Sequence, residues 1–74
     1  MLETYILEYL LTFDECGNLS TASKKLNVSQ PSLTRVMQKL EDKLGTTLFS
    51  RTSNKIEVND VGKTVVNHAK LVLK

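Results

Sequence analysis

Apolar residues near the start of the chain recur every three or four positions. Leu2, Ile6, Tyr9, Leu10 and Phe13 share one stripe, the pattern of an amphipathic helix from Leu2 to Cys16. Leu7 and Leu11 lie one turn apart on a second face. A helix with two apolar faces needs two partners, and a subunit interface would supply the second. Gly17 suits a left-handed stop to this helix. After Asn18-Leu19-Ser20, a short second helix is expected over Thr21–Leu26, with Ser20 as its N-cap and Leu19 as a hydrophobic staple. Asn27 tolerates positive φ and fits a tight turn.

Ser29 is placed to cap a third helix, Gln30–Leu44, with Gln30 and Pro31 in its first turn, where a missing N–H costs nothing. Leu33, Val36, Met37, Leu40 and Leu44 fall on one side of it. At about 100° per residue, Gln30, Pro31, Thr34, Arg35 and Gln38 fall on the other, flanked by Ser32 and Lys39. Gly45 ends the helix. The period then changes. Thr46 to Arg51 reads as a short strand, Thr52-Ser53-Asn54 as a turn, and Lys55-Ile56-Glu57-Val58 as a second, alternating strand. So small a hairpin is marginal unless it packs on the helices. Asn59 or Asp60 is a cap for a fourth helix, Val61–Lys74, whose stripe is Val61, Val65, Ala69 and Val72, widened by Val66 and Leu73. Lys63, Asn67, Lys70 and Lys74 mark its wet side. The pattern continues to Lys74 without a stop signal, as expected of a piece of something longer.

The 74 residues allow one small domain with a single core and little room for a catalytic cleft. The single cysteine, Cys16, precludes an internal disulfide and suits a reducing compartment. It reads as a small apolar residue near a helix end. No run approaches the roughly 20 apolar residues of a membrane span. The opening Met-Leu-Glu-Thr-Tyr lacks the basic n-region of a signal peptide, so a cytoplasmic protein is expected.

Net charge is only +2, but its distribution is uneven. Residues 1–15 carry Glu3, Glu8, Asp14 and Glu15 without a base, for −4. Residues 16–40 carry Lys24, Lys25, Arg35 and Lys39 without an acid, for +4. Residues 41–60 sum to −1 and residues 61–74 to +3. An acid-free basic block can attract phosphate whatever the total charge; it can also be a solvated helix face.

Short helix, tight turn and longer helix with a polar outer face form the helix-turn-helix arrangement. Ala22 and Ser23 are small enough for a close helix crossing, and Leu26, Val28, Leu33 and Val36 supply buried contacts. The second helix of such a unit presents hydrogen-bonding side chains from its N-terminal half into the major groove. Here those are Ser29, Gln30, Ser32, Thr34, Arg35 and Gln38. Gln suits adenine edges, and Arg suits guanine edges or phosphate. The hairpin would form a wing beside this helix.

The stretch Leu19-Ser-Thr-Ala-Ser-Lys-Lys-Leu-Asn-Val-Ser-Gln-Pro-Ser-Leu-Thr-Arg resembles the LysR family of bacterial transcription regulators. So does Leu40-Glu-Asp-Lys-Leu-Gly-Thr-Thr-Leu-Phe-Ser-Arg. The similarity runs from about Leu7 to Ala69. It implies a mainly α fold with a small β-hairpin: a winged helix-turn-helix domain in residues 1–58, then a linker helix from 59 to 74. The implied function is sequence-specific binding of double-stranded DNA on a two-fold symmetric site. The resemblance places Gln30, Pro31, Ser32, Thr34, Arg35 and Gln38 in the major groove, with Lys39 beside them. Ser20, Thr21 and Ser29 would lie near the backbone. Arg51, Asn54 and Lys55 would reach phosphate or the minor groove, an internal salt bridge being the alternative for Arg51. The linker helix would pair with that of a second subunit through Leu7, Leu11, Val61, Val65, Ala69 and Val72. A tetramer is compatible with the full-length parent. The family's effector domain, which takes the small molecule, is absent from these residues, and no cofactor or metal is implied. Two departures stand out: Ser23 replaces a usual alanine, and Leu19 a usual aromatic.

Other functions have little support in the sequence. Glu41 and Asp42 are adjacent on a helix, so they point apart and read as solvated carboxylates. His68, the only histidine, lies on the stripe of the fourth helix, as an interface or half-buried residue, with no partner at metal-ligand spacing. No phosphate-binding loop occurs. A protein-binding face on the third helix should offer aromatics or aliphatics, and an RNA-binding one a stacking platform. Gln, Ser, Thr and Arg offer neither.

Overall fold

The computed structural model describes residues 3–52 and 55–72. Its elements run in the order α1 (Thr4–Cys16), α2 (Leu19–Leu26), α3 (Gln30–Leu44), β1 (Phe49–Thr52), β2 (Lys55–Val58) and α4 (Asp60–Val72). Leu2, Ser53, Asn54, Leu73 and Lys74, which the pattern assigned to helix ends, the turn and a wing contact, lie outside the described residues.

In α1 the stripe Ile6, Leu10 and Phe13 is buried. Gly17 ends the helix at φ 79°, its N–H donating to the Phe13 carbonyl at 2.9 Å. The start of α2 differs from expectation. It begins at Leu19 because Asn18, not Ser20, is the N-cap: the Asn18 Oδ1 accepts from the Thr21 N–H at 2.8 Å. Ser20 therefore lies inside the first turn and Leu19 is a half-buried helical residue. Asn27 adopts φ 59°, the left-handed geometry that lets α2 turn into α3. Ser23, the departure from alanine, is buried with its hydroxyl donating to the Ser20 carbonyl at 3.0 Å. A buried polar group is thus satisfied within its own helix.

Ser29 caps α3 by accepting from the Ser32 N–H at 3.2 Å, and Pro31 falls in the first turn. Leu33, Met37 and Leu40 enter the core and Val36 is half-buried. Leu44, expected on the inner side, is 40% exposed, because the last turn of α3 runs past a buried cluster that ends at Leu40 on this helix. The expected strand from Thr46 starts only at Phe49. The Thr46 N–H donates to the Glu41 carbonyl and the Thr47 carbonyl accepts from Asn59 Nδ2, so these two residues serve the connection rather than the sheet. The strands pair antiparallel, Phe49 opposite Val58 and Thr52 opposite Lys55. The hairpin is fastened at its root, where Leu48 and Phe49 are buried and the Phe49 ring meets Phe13 edge-on at 5.7 Å.

Of the two caps open for α4, Asn59 is the one used: its Oδ1 accepts from the Gly62 N–H at 2.8 Å. Gly62, Val66 and Ala69 face inward, and α4 packs against α1. Lys63 and Asp14 tie the two helices together at 2.6 Å. Among the described residues, no helix is long and apolar enough to cross a membrane.

Candidate nucleic-acid interface

The core fixes which side of α3 is free. With Leu33, Met37 and Leu40 inward, helical geometry turns Gln30, Pro31, Arg35, Gln38 and Lys39 outward, and all five are exposed. Ser32 and Thr34 sit half-buried at the margins. Ser29 is exposed at the cap, its hydroxyl donating to the Ser32 hydroxyl at 2.9 Å. Ser20 and Thr21 are exposed on the first turn of α2.

Folding brings the wing to the same side. A cleft of about 450 Å³ lies between the starts of α2 and α3 and the hairpin, lined by Asn18, Leu19, Ser20, Gln30, Thr52, Lys55 and Ile56. Ser20, Gln30 and Lys55, far apart in sequence, thereby share one concave wall. Asn18, Leu19, Thr52 and Ile56 were not among the expected site residues. Asn18 could have been found from its strength as an N-cap, whereas Thr52 and Ile56 enter only through tertiary packing. Asn54 lies outside the described residues.

The cations differ in freedom. Lys24, Arg35 and Arg51 are exposed and make no ion pair among the described residues, so the internal bridge considered for Arg51 is not formed there. Lys55 contacts Glu57 at 3.2 Å, but both side chains are mostly solvated, and such a pair constrains little. Lys39 turns toward α1. Its ammonium donates to the Tyr5 hydroxyl at 3.3 Å and lies 3.9 Å from Glu3. The hydrogen bond to Tyr5, with the charges of Tyr5 and Glu3 behind it, holds Lys39 protonated above its ordinary range. Gln38 is engaged with Asp42 at 3.1 Å across one turn. These contacts are exposed and exchangeable.

One expectation about polar residues needs correction and another narrows. Glu41 is not merely solvated: its Oε2 accepts from the backbone N–H groups of Leu48 at 2.8 Å and Phe49 at 3.2 Å, so it holds the root of the wing. Of the two places open to His68, half-buried or at an interface, the first does not hold: it is exposed in this chain. The apolar positions of α4 also divide. Ala69, expected at a subunit seam, is 1% exposed because it packs into its own chain. Val65 is half-buried against the same core, while Val61, Leu71 and Val72 remain exposed, Leu71 at 69%. Leu7 and Leu11 on α1 are half-buried. Leu71 was missed in the sequence because it sits off the Val61–Val65–Val72 line.

Comparison with known proteins gives this geometry a family. The model for the bacterial regulatory helix-turn-helix protein, lysR family, matches residues 6–63. The transcriptional regulator TcbR of Pseudomonas sp. strain P51 is 40% identical over 68 residues, covering 92% of this chain and 23% of TcbR. The chain thus spans about a quarter of that relative's length. Among solved structures, the CbnR_DBD–DNA complex superposes with a TM-score of 0.90 at 39% identity, covering 97% of this chain and 83% of that one. The BenM_DBD/catB site 1 DNA complex gives 0.89 at 30% identity, with 97% and 80% covered. The shared architecture is the winged helix-turn-helix, and the chain belongs to the LysR family of bacterial regulatory helix-turn-helix proteins.

Proposed function

We propose that this chain binds double-stranded DNA sequence-specifically as the recognition module of a transcription regulator. The N-terminal half of α3 enters the major groove, and the wing lies on the adjacent backbone or minor groove. The observation that carries this reading is the outer face of α3. It is polar, exposed, free of large apolar side chains from Gln30 to Lys39, and set beside a cleft that faces the wing. Gln30, Arg35 and Gln38 have the donors and acceptors to read base edges. Ser20, Thr21, Ser29 and Ser32 carry short hydroxyls at helix starts, where backbone phosphate is favoured. Arg51 and Lys55 carry exposed charge on the wing. The two solved DNA complexes support the reading, since their protein parts superpose on nearly the whole of this chain.

In this reading residues 1–58 are the DNA-binding unit and residues 59–74 a linker helix that pairs with a second copy. The exposed Val61 and Val72, together with the half-buried Val65, Leu7 and Leu11, supply the apolar seam. Ala69 contributes from behind, by seating α4 on its own core. A symmetric pair requires a two-fold symmetric site. The family setting points to a cytoplasmic regulator rather than an enzyme, with any small-molecule effector bound outside residues 1–74. Selection of bound sequences from a random duplex pool at stated salt tests the proposal. It predicts a two-fold symmetric consensus. Recovery of unenriched sequence would leave only electrostatic, non-specific binding.

A further inference from the structure

The wing is a two-stranded hairpin, and one edge of β1 faces away from β2. Isolated hairpins of this size are marginal, so something must fix its position against α3. The hydrogen bonds identify it. Glu41, on α3, places one carboxylate oxygen on two consecutive backbone donors at the start of β1, Leu48 N–H at 2.8 Å and Phe49 N–H at 3.2 Å. Both of those residues are buried, so water is a poor substitute for the carboxylate. The same carboxylate-bearing residue receives the Gly45 and Thr46 N–H groups on its own carbonyl, at 2.8 and 3.3 Å, which folds the loop back toward it. From the other side Asn59 grips this segment: its N–H donates to the Leu48 carbonyl at 2.9 Å and its Nδ2 to the Thr47 carbonyl at 2.9 Å.

We infer that Glu41 is a positioning residue for the wing, setting where Arg51 and Lys55 meet DNA while touching no DNA itself. The inference rests on the DNA-binding reading above. Glu41 lies one turn beyond Gln38, two turns past Thr34, on the helix that would read the bases. A charge-assisted acceptor there joins the base-reading element to the backbone-contacting one through a single side chain. Arg51 and Lys55 lie a few residues up the hairpin from its root, so a shift at Leu48–Phe49 is carried to them by the ladder that pairs Arg51 with Ile56 and Thr52 with Lys55. Helix formation in α3 does not depend on this carboxylate, because the residues that cap and bury α3 are others.

The test is a double-mutant cycle on DNA affinity with the full chain, using the selected duplex. Glu41→Gln keeps the shape and weakens the acceptor; Glu41→Asp keeps the charge and shortens the reach. Far-UV circular dichroism and thermal melting check that each variant is folded, and whichever variant retains the fold carries the test. Each is expected to bind about three- to thirtyfold more weakly, and that loss is expected to vanish in an Arg51→Ala/Lys55→Ala background. Coupling of this kind follows only if Glu41 acts through the wing side chains. A loss of equal size in both backgrounds overturns the inference and makes Glu41 a residue of general stability; no loss in either background overturns it too. If Arg51→Ala/Lys55→Ala itself leaves affinity and its salt dependence unchanged, the wing is not on DNA. That would be a failure of the DNA-contact reading, distinct from the failure of the coupling.

Discussion

Replacing Gly62 by alanine probes how closely α4 is seated on the wing. Gly62 occupies the first turn of α4, and its N–H is already held by the Asn59 cap. A methyl group built there would press well inside van der Waals contact on the Leu48 carbonyl oxygen and the Val58 side chain. Val58 can shift a little, but the Leu48 oxygen is backbone and also accepts from the Asn59 N–H, so it cannot turn away without breaking the junction. Overpacking of this kind costs about 1–3 kcal/mol. Against it, alanine is intrinsically better than glycine in a helix by about 0.5–1 kcal/mol. Taken at the middle of both ranges, the net expectation is a loss of about 1 kcal/mol, which in a domain this small lowers Tm by about 4–8 °C. Thermal and urea unfolding followed by circular dichroism measures it. Gly45→Ala is the comparison: its φ is +67° with open space around the added methyl, so its loss of about 1 kcal/mol comes from left-handed strain alone. A Gly62→Ala protein as stable as the parent, or more so, would refute the close contact and leave only helix propensity at work.

Three further outcomes follow from the same structure. Arg35→Ala is expected to lose about 1–3 kcal/mol of affinity on the selected site and little on random duplex; an equal loss on both, in competition titrations, would make Arg35 a phosphate contact instead of a base reader. Asn18→Ala removes the acceptor of the Thr21 N–H and should cost about 1 kcal/mol of stability, an effect absent from the melt if Ser20 were the true cap. Val72→Asp places a charge on the exposed side of α4, away from the chain's own core, and should convert a dimer to a monomer in sedimentation. A charged variant that stays dimeric would exclude this face as the seam.

Much of the fold is local, and local chemistry is legible in a sequence. The positive φ at Asn27, the stops at Gly17 and Gly45, and the Ser29 cap each follow from one residue's conformational or hydrogen-bonding preference. The outer face of α3 follows from period alone. The start of α2 was misplaced because Asn18 and Ser20 both suit an N-cap, and only the packing of Leu19 decides between them. Three features depend on contacts between distant segments. Glu41 reaches residues seven and eight positions away, Gly62 yields to the Leu48 backbone, and Ala69 is claimed by its own core instead of a partner's. Periodicity shows that a residue lies on a face but not which neighbour will cover it. For the same reason the cleft at Ser20, Gln30 and Lys55 could be named only in parts.

The central claim is that the outer face of α3 and the wing form one DNA surface. Backbone amide chemical shifts, recorded as the selected duplex is titrated into the isotope-labelled chain, test it residue by residue. The account predicts the largest changes over Ser29–Gln38 and Arg51–Lys55, with smaller ones at Ser20 and Thr21 and none centred on the acidic positions Glu8 and Glu15 of α1. Changes concentrated on α1 or α4, with α3 unmoved at saturating duplex, would contradict it.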